Sequence, residues 1–526
     1  MNFLKSRYPI KSDLTGSFGR FKRICSNGTL LCFLSPSFRR FKHSFSLGTL
    51  ACILSACSVG PDYVRPTVDV GAQFKVVDGW KVFNAQAQTT DMAWWEIYQD
   101  NVLSGLMVEL NQSNLTVAQA QAQLQNALAL VKQASSAQYP TLGVNADLTR
   151  SDAPFSTSSS GFAVNPSPQT RYGASLNANW QLDLWGGIRR NIEANEASMQ
   201  ASAANLAGVQ LSQQTILATT YFQMRVLDAQ KSLLAATVAA YQKSLTLTEN
   251  RYKAGVSGKS DVAVSRTQLE STRAQLINLE WQRTKLENAI AVLLGRPPSQ
   301  LTIAPHVNWL IQPPSVPVGV PSTLLERRPD IVKAERNVVA ANAQIGVATA
   351  AWFPDVTLGG NFGFQTASYA QWFSAPAQVW ALGPALALNL FDGGLRTSRV
   401  EQARANFDAQ AAAYRLTVLN AIQEVDNAMV QLTVQAREQI VQRMAVDAAR
   451  EAVRLSQNQY EQGLVDYLSV AVLETTALNN ERTQISLMGE RLAASVQLIS
   501  ALGGGWSSQE LANAGNPVRP EATSQK

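Results

Sequence analysis

The groups in this sequence that look most reactive are a Gly-Lys-Ser tripeptide at positions 258–260 and a lone histidine, His306, outside the basic leader. Gly-Lys-Ser completes a phosphate-binding loop only when a second glycine lies five residues before the glycine of the tripeptide and a strand precedes the loop. That position is Lys253, and a long helical pattern precedes it. One histidine cannot assemble a zinc site or a paired-histidine acid–base centre, and no Gly-x-Ser-x-Gly nucleophile motif occurs. We therefore expect no enzymatic activity, no metal site and no cofactor.

The most informative reactive side chain is the thiol of Cys57. Residues 1–56 contain nine Lys or Arg and one acid, then a short apolar run that ends Leu-Ser-Ala before Cys57. A basic region, an apolar region and small residues before a cleavage point indicate a secretory signal. The apolar run is too short for a transmembrane helix. The Leu-Ser-Ala-Cys sequence resembles a bacterial lipobox, which implies that Cys57 becomes a lipid-bearing N-terminus in the outer membrane.

The basic charge of the chain belongs to this leader. The whole sequence has a formal charge of +6, and removing a leader of +8 leaves about −2 for residues 57–526. Cys57 is the one cysteine that remains, so the mature chain has no intrachain disulfide. The basic pI therefore does not indicate a nucleic-acid partner.

The rest of the chain is a tandem duplication with an offset of about 208 residues. Arg251-Tyr252-Lys253-Ala254-Gly255 returns as Gln459-Tyr460-Glu461-Gln462-Gly463, and a Gly-Gly-x-Arg sequence at 186–189 returns at 393–396. This period is far too long for a solenoid. Each copy has a helical segment (114–138, 329–351), then two alternating segments, a very long helix, a glycine and another helix.

The alternating segments predict β-strands with one apolar and one polar face. In the second segment, Tyr172, Leu176 and Trp180 share a face and Asn177 and Gln181 share the other, with Asp183 also placed on the polar face. Alternation over about 10 residues suits a transmembrane strand that is apolar toward lipid and polar toward a wet lumen. An ordinary soluble hairpin is the alternative interpretation. The predicted strands are about 139–150, 171–185, 353–365 and 379–391.

Four transmembrane strands per chain require an oligomer, because a sheet within a membrane cannot keep open edges. Two chains would give eight strands and an interior filled by side chains, whereas three would give twelve and leave room for a channel. Cyclic closure by identical subunits is the common arrangement. We expect a homotrimer.

The long helices, about 188–253 and 395–461, set the second dimension of the molecule. Each should extend roughly 100 Å, so its neighbours must also be long helices. The apolar positions of the second one step by four and three residues, which predicts a coiled-coil seam. These positions are Phe407, Ala411, Tyr414, Val418, Ala421, Val425, Ala428 and Leu432.

Taken in order, these features resemble the TolC-type outer-membrane efflux channels, and most closely the OprM-like lipoprotein branch that serves resistance-nodulation-division (RND) pumps. The features are the lipobox, Val-Gly-Pro-Asp-Tyr from position 59, Trp-Trp-x-x-Tyr-x-Asp from position 94, the repeat, the Gly-Gly exits and Arg-Pro-Asp-Ile from position 328. The resemblance implies a mixed α and β fold. In it a trimeric, twelve-stranded transmembrane β-barrel continues into a long periplasmic α-helical barrel with a small equatorial belt.

We accordingly divide the chain into a signal peptide (1–56), a lipidated arm with a belt segment (57–113) and a first repeat (114–295). A belt linker (296–328), a second repeat (329–503) and a C-terminal tail (504–526) follow. The belt should draw on the Pro-rich segment 296–321 and on both terminal segments.

In the resembled family, the turns that end the long helices form a periplasmic mouth, which the adaptor and the pump open. The glycine at each helix end marks such a turn. The resemblance places the contact with a periplasmic adaptor (a membrane fusion protein) at these turns. The expected contact residues are Gly255, Val256, Gly463, Leu464 and Val465.

Rings of apolar and acidic side chains can gate a mouth of this kind. Leu468 matches a position that forms an apolar constriction in the family, but Ser469 and Val472 occupy the places of its usual acids. Either the acidic ring is shifted or the gate is mainly apolar. The candidate gate residues are Asp261, Asp466, Leu468, Ser469 and Glu474.

These observations predict a passive duct that carries small molecules from the periplasm to the exterior, as the outer-membrane component of a tripartite efflux pump. The implied partners are the adaptor, an inner-membrane RND-type pump and outer-membrane lipid. One alternative is the outer-membrane duct of a type I protein secretion system. A second is a periplasmic scaffold lipoprotein without a channel.

Overall fold

The computed structural model describes residues 59–70, 93–152, 156–157, 163–164, 168–306, 314 and 327–506. All of them lie in the second of two compact units, Ser58–Lys526. The leader, Cys57, most of the predicted belt linker and residues 507–526 fall outside the described residues. Lipidation of Cys57 therefore stays a prediction.

The described chain repeats one order of helices and strands. The helices are α1 (Asn101–Ser113), α2 (Leu115–Ser136), α3 (Gly187–Lys253), α4 (Lys259–Leu293), α5 (Pro329–Ala350), α6 (Leu395–Glu461) and α7 (Tyr467–Ala501). The long strands are β1 (Thr141–Ser151), β2 (Gln169–Leu182), β3 (Asp355–Thr366) and β4 (Gln378–Ala387). A two-stranded ribbon, Ser156–Thr157 with Ala163–Val164, lies between β1 and β2.

The four long strands form one antiparallel sheet in the order β1–β2–β3–β4. Its register aligns the predicted apolar face across all four strands, with Val144, Leu176, Phe362 and Trp380 in one row. These four side chains are 78%, 46%, 46% and 73% exposed in the isolated chain. Asn177 and Asn361 pair on the opposite face. One face of the sheet is therefore a continuous apolar surface.

Two strands end earlier than predicted. The strand expected at 379–391 ends at Ala387, which pairs with Asp355, the first residue of β3. Pro354 precedes Asp355 and has no N–H to donate, so the ladder stops there. The strand expected to reach 185 ends at Leu182.

The alternation predicted that Asp183 lies on the polar face of the strand. The strand ends at Leu182, so Asp183 lies beyond it and has a different role. Its carboxylate accepts hydrogen bonds from the N–H groups of Ile188 and Arg189, both at 3.0 Å, and so satisfies the free N-terminus of α3. Asp392 does the same for α6, through Gly394 at 3.0 Å and Arg396 at 3.2 Å. An aspartate thus binds the start of the long helix in both repeats, from three residues before the Gly-Gly pair in the first and from the residue directly before it in the second.

Helices α3 and α6 have 67 residues each, which corresponds to about 100 Å. Next to the sheet the packing order is α2–α3–α5–α6, and toward the far end it is α4–α3–α7–α6. The predicted seam of α6 is confirmed, because its positions from Ala411 to Ala428 are buried and Phe407 and Leu432 pack against them. None of the helices within the described ranges is long and apolar enough to span a membrane.

The main core lies at mid-length, where the segment before α1 packs on the long helices. Trp94 and Tyr98 are buried, and the Tyr98 ring lies 4.9 Å from the Phe222 ring of α3. The Tyr98 hydroxyl is 2.7 Å from Ser495 Oγ of α7. Burying side chains of this size stabilises a fold by about 1.5–3 kcal/mol each, so this belt holds α3 and α7 together.

Candidate functional site

The two turns at the far end of the long helices share one backbone geometry. Gly255 and Gly463 have φ angles of +74° and +77°, a conformation that side chains with a Cβ rarely adopt. Val256 N–H donates to Arg251 C=O at 3.0 Å, and Leu464 N–H donates to Gln459 C=O at 2.9 Å. Both long helices therefore end in a Schellman motif.

The structure brings the two turns side by side. Arg251 Nη1 donates to the C=O of Glu461 at 3.1 Å, which joins the end of α3 to the end of α6. Val256 and Leu464 are 64% and 70% exposed. Four of the five predicted adaptor-contact residues thus form one exposed, partly apolar tip, whereas Val465 is partly buried against the cluster of Tyr460 and Tyr467.

We expect Gly463→Ala to weaken this tip, because a Cβ in the left-handed region costs about 1–2 kcal/mol. An opening equilibrium shifted by about 1 kcal/mol should raise the rate of limited proteolysis at the turn roughly fivefold. The matched control is Gly258→Ala, because Gly258 has an extended backbone with φ −77° and its Cβ would meet the rotatable Ser260 Oγ. Equal cleavage rates in the two variants would contradict the conclusion that the turn requires a left-handed backbone at Gly463.

The repeats differ at the helix that follows each turn. Helix α4 has Gly258 as its N-cap and no capping side chain, whereas Asp466 caps α7. The Asp466 carboxylate accepts from Ser469 N–H at 3.0 Å and from Ser469 Oγ at 2.6 Å. These hydrogen bonds from Ser469 lower the pKa of Asp466 below its ordinary value. The structure thus unites two of the candidate gate residues as a helix cap.

Asp261 also has a local partner, since Ser257 Oγ donates to its carboxylate at 2.7 Å. Two of the three candidate gate acids are therefore engaged in hydrogen bonds within their own turns. Asp466 is exposed at the tip and Asp261 is partly exposed.

The exposed face at the start of α7 is apolar. Leu468 and Val472 are 53% and 57% exposed and lie one helical turn apart. Tyr467, Val470 and Ala471 point the other way and are buried. This arrangement favours the apolar of the two gate types that the sequence left open.

The sequence predicts Glu474 as a gate acid, but the structure places it inside the helix packing. It is only 6% exposed. Gln457 Nε2 donates to one of its carboxyl oxygens at 3.0 Å, and the Tyr467 hydroxyl lies 3.4 Å from the other. Burial raises the pKa of Glu474 above its ordinary value.

A buried ionic cluster at mid-length was missed by sequence reasoning. Asp228 accepts from Arg225 Nη1 at 2.9 Å and from Arg283 Nε at 2.7 Å. Arg225 and Arg283 also donate to the C=O groups of Ala304 and Ile303, at 2.8 and 2.5 Å. The cluster therefore fastens the segment after α4 to the long helix. The available signal was the Arg-x-x-Asp spacing within an otherwise apolar helix face.

A groove of about 530 Å³ lies next to the contacts that Phe222 and Ser495 make with the belt, and it is lined by Val226, Trp281 and Gly489 among others. Val226 lies one helical turn after Phe222 on the same side of α3 and packs against the main core.

Comparison with known proteins gives a consistent result. Residues 106–296 and 320–504 match the outer membrane efflux protein family. The pyoverdine export outer membrane protein OpmQ of Pseudomonas putida is 30% identical over 432 residues, which are 81% of this chain and 92% of the relative. The cation efflux system protein CusC of Escherichia coli is 28% identical over 455 residues, or 86% and 96% of the two chains. The open-state outer membrane channel MtrE of Neisseria gonorrhoeae superposes with a TM-score of 0.74 at 26% identity, covering 86% of this chain and 99% of that one.

Proposed function

This chain belongs to the outer membrane efflux protein family, and we infer that it is the exit duct through which an inner-membrane RND-type pump and a periplasmic adaptor expel small molecules. It is an outer-membrane channel protein of an efflux system and extends into the periplasm. The finer assignments below concern its partners, its anchor and its mouth.

The observation that carries the duct is the pair of open edges on each subunit. The sheet ends at β1 on one side and at β4 on the other. The helix layer ends at α2 and α4 on the β1 side and at α6 on the β4 side. A rotation that brings β1 of one subunit against β4 of the next also brings the two helix edges together. Three subunits related in this way give twelve strands and a continuous tube.

The faces of the sheet support passage of polar solution through that tube. The apolar row through Leu176 suits lipid, and the row through Asn177 and Asn361 suits water. We therefore assign the asparagine face to the lumen.

The exposed tip supports docking of the adaptor. Val256 and Leu464 project from two adjacent turns that have the same backbone geometry. Three subunits would present six such turns in a ring, to which a periplasmic partner with repeated hairpins could bind.

The arm after Cys57 supports a lipid anchor at the level of the membrane. Val59 N–H donates to Trp185 C=O at 3.1 Å, just beyond the end of β2. Arg65 then forms a double hydrogen bond with buried Glu335 on α5, at 2.7 and 2.5 Å. An arm held in this way begins beside the sheet, where an acylated Cys57 would reach lipid.

The purified mature protein should form trimers in mild detergent and conduct ions in planar bilayers. A scaffold without a channel would give no current. Deletion of the gene should sensitise cells to some members of a panel of antibiotics, dyes, solvents and metal ions. Unchanged sensitivity together with loss of an exported protein would favour the type I secretion alternative.

We expect Leu468→Ser to raise the resting conductance of the trimer several-fold, because it removes three apolar side chains from the mouth. The matched control is Leu464→Ser, which changes an equally apolar residue in the turn before α7. Leu464→Ser should leave conductance unchanged and reduce adaptor-dependent efflux. A Leu468→Ser channel that conducts like the wild type would refute the apolar gate.

A further inference from the structure

Glu474 lies where the two helical hairpins of the subunit, α3–α4 and α6–α7, pack together near the tip. All four helices surround its carboxyl group. Gln457 of α6 and Tyr467 of α7 contact it directly. Gln268 of α4, whose Nε2 donates to the C=O of Ala471 at 3.4 Å, and Tyr241 of α3 lie close to it. We call this region, where the four helices pack around the Glu474 carboxyl group, the joint.

Among the described residues, no lysine or arginine forms an ion pair with this carboxyl group, which contacts the Gln457 amide and the Tyr467 hydroxyl. Arg251, a cation at the level of the turns, instead lies over the Tyr460 ring at 4.7 Å. Burying an unpaired carboxylate is costly, and the usual response is to bind a proton.

Tyrosines face Glu474, and Glu481, two helical turns further along α7, forms an ion pair with Arg450 of α6. Burial raises the pKa of Tyr241 to about 12 and raises that of Tyr467 further. Both hydroxyls therefore stay neutral. The facing groups of α4 and α6 are the amides of Gln268 and Gln457, which carry no charge at any pH.

The hydrogen bonds at the joint also leave room for a proton donor. Gln268 Oε1 is buried and accepts no hydrogen bond. An ionised Glu474 can only accept, whereas a neutral carboxyl group supplies one O–H donor. Gln457 and Tyr467 donate hydrogen bonds that favour the carboxylate, but burial, which favours the acid form, outweighs them and raises the pKa of Glu474.

We propose that Glu474 is protonated while the two hairpins are packed together, and that loss of this proton loosens the joint and favours opening of the periplasmic mouth. This inference rests on the proposed function as a gated duct. Threefold symmetry places three such protons around one mouth.

The expected pH dependence follows from the direction of the shift. A pKa raised in the packed state means that packing is most stable below the ordinary glutamate pKa and loses this contribution as pH rises through the raised pKa. Between these two values, opening releases one proton per subunit. The open-to-closed ratio should then rise about tenfold per pH unit for each Glu474.

Conductance of the reconstituted trimer, recorded from about pH 4 to about pH 9, tests the proposal. Wild-type trimers should conduct weakly at acid pH and several-fold more at alkaline pH. Glu474→Gln keeps a neutral hydrogen-bonding side chain and should stay at the low level throughout. The matched control is Glu451→Gln on α6, which removes an exposed carboxylate and should titrate like the wild type.

These measurements distinguish a failure of the proposed duct from a failure of the proposed proton site at Glu474. A wild-type protein without any pore overturns the duct itself. A pore whose pH dependence is the same in Glu474→Gln as in the wild type overturns the proton joint alone. Infrared spectra add a direct measurement, because the wild type should keep a carboxylic-acid C=O band to higher pH than its exposed carboxyl groups. If folded Glu474→Gln trimers retain that band, the proposal fails.

Discussion

Asp228→Ala should lower the free energy of unfolding by about 3–5 kcal/mol per subunit, because it leaves the buried Arg225 without its carboxylate partner and removes one of the two carboxylates that bind Arg283. Asp228 is 4% exposed and is the shared partner of Arg225 and Arg283. Breaking a buried ion pair from one side costs far more than the pair contributes as a whole, since the remaining charge stays desolvated.

The cluster also determines where this loss should appear. Arg225 and Arg283 donate to the C=O groups of Ala304 and Ile303. The segment 301–306, which follows α4, should therefore separate from α3 before the long helices unfold. Denaturant titration of the detergent-solubilised trimer gives the free energy, and hydrogen exchange locates the loss at residues 301–306.

The matched control is Glu280→Ala, which breaks the exposed ion pair with Lys231. Such a pair contributes about 1 kcal/mol or less. If Asp228→Ala were no more destabilising than Glu280→Ala, water would have to reach the arginines. The cluster would then not hold the segment 301–306 on α3.

Leu176→Arg should remove most of the protein from the outer membrane. Leu176 lies in the middle of β2, in a row with Val144 and Phe362. An arginine that faces lipid at mid-depth destabilises a transmembrane barrel by about 2–4 kcal/mol in each strand that carries it. Three subunits would carry three such changes in one barrel.

The adjacent residue provides the control. Asn177 lies on the opposite face, where Asn361 is its partner. Asn177→Arg should assemble normally and should shift the ion selectivity of the channel toward anions. Outer-membrane fractions and bilayer reversal potentials measure the two effects. Equal depletion of both variants would mean that the sheet does not have a lipid face and a water face.

The periodic features of this chain could be predicted from the sequence alone. Alternation gave the sheet faces, since side chains point to opposite sides at every step of a strand whatever the strand pairs with. The seam from Ala411 to Ala428 was visible for the same reason, because its spacing follows from helix geometry. The duplication showed each pattern twice, which fixed the order of helices and strands.

The ends of these elements depended on neighbours that are distant in sequence. The last strand stops at Ala387 because its partner begins after Pro354. Asp183 continues an alternating pattern, yet it caps α3 because the chain turns there. Pairing and capping are set by which groups meet in space, and periodicity carries no information about that.

The charged residues show the same division at the site. The sequence by itself determined that the tips are glycine turns followed by Asp466 in one copy and Gly258 in the other. It did not determine that Asp228 is buried between two arginines or that Glu474 is buried against an amide and a tyrosine hydroxyl. A charged residue on a long helix looks solvated until the adjacent helices are known, because burial is a property of the packed layer. Only the tertiary structure brought four helices around Glu474, and desolvation by those helices is what turns a candidate gate acid into a proton-binding joint.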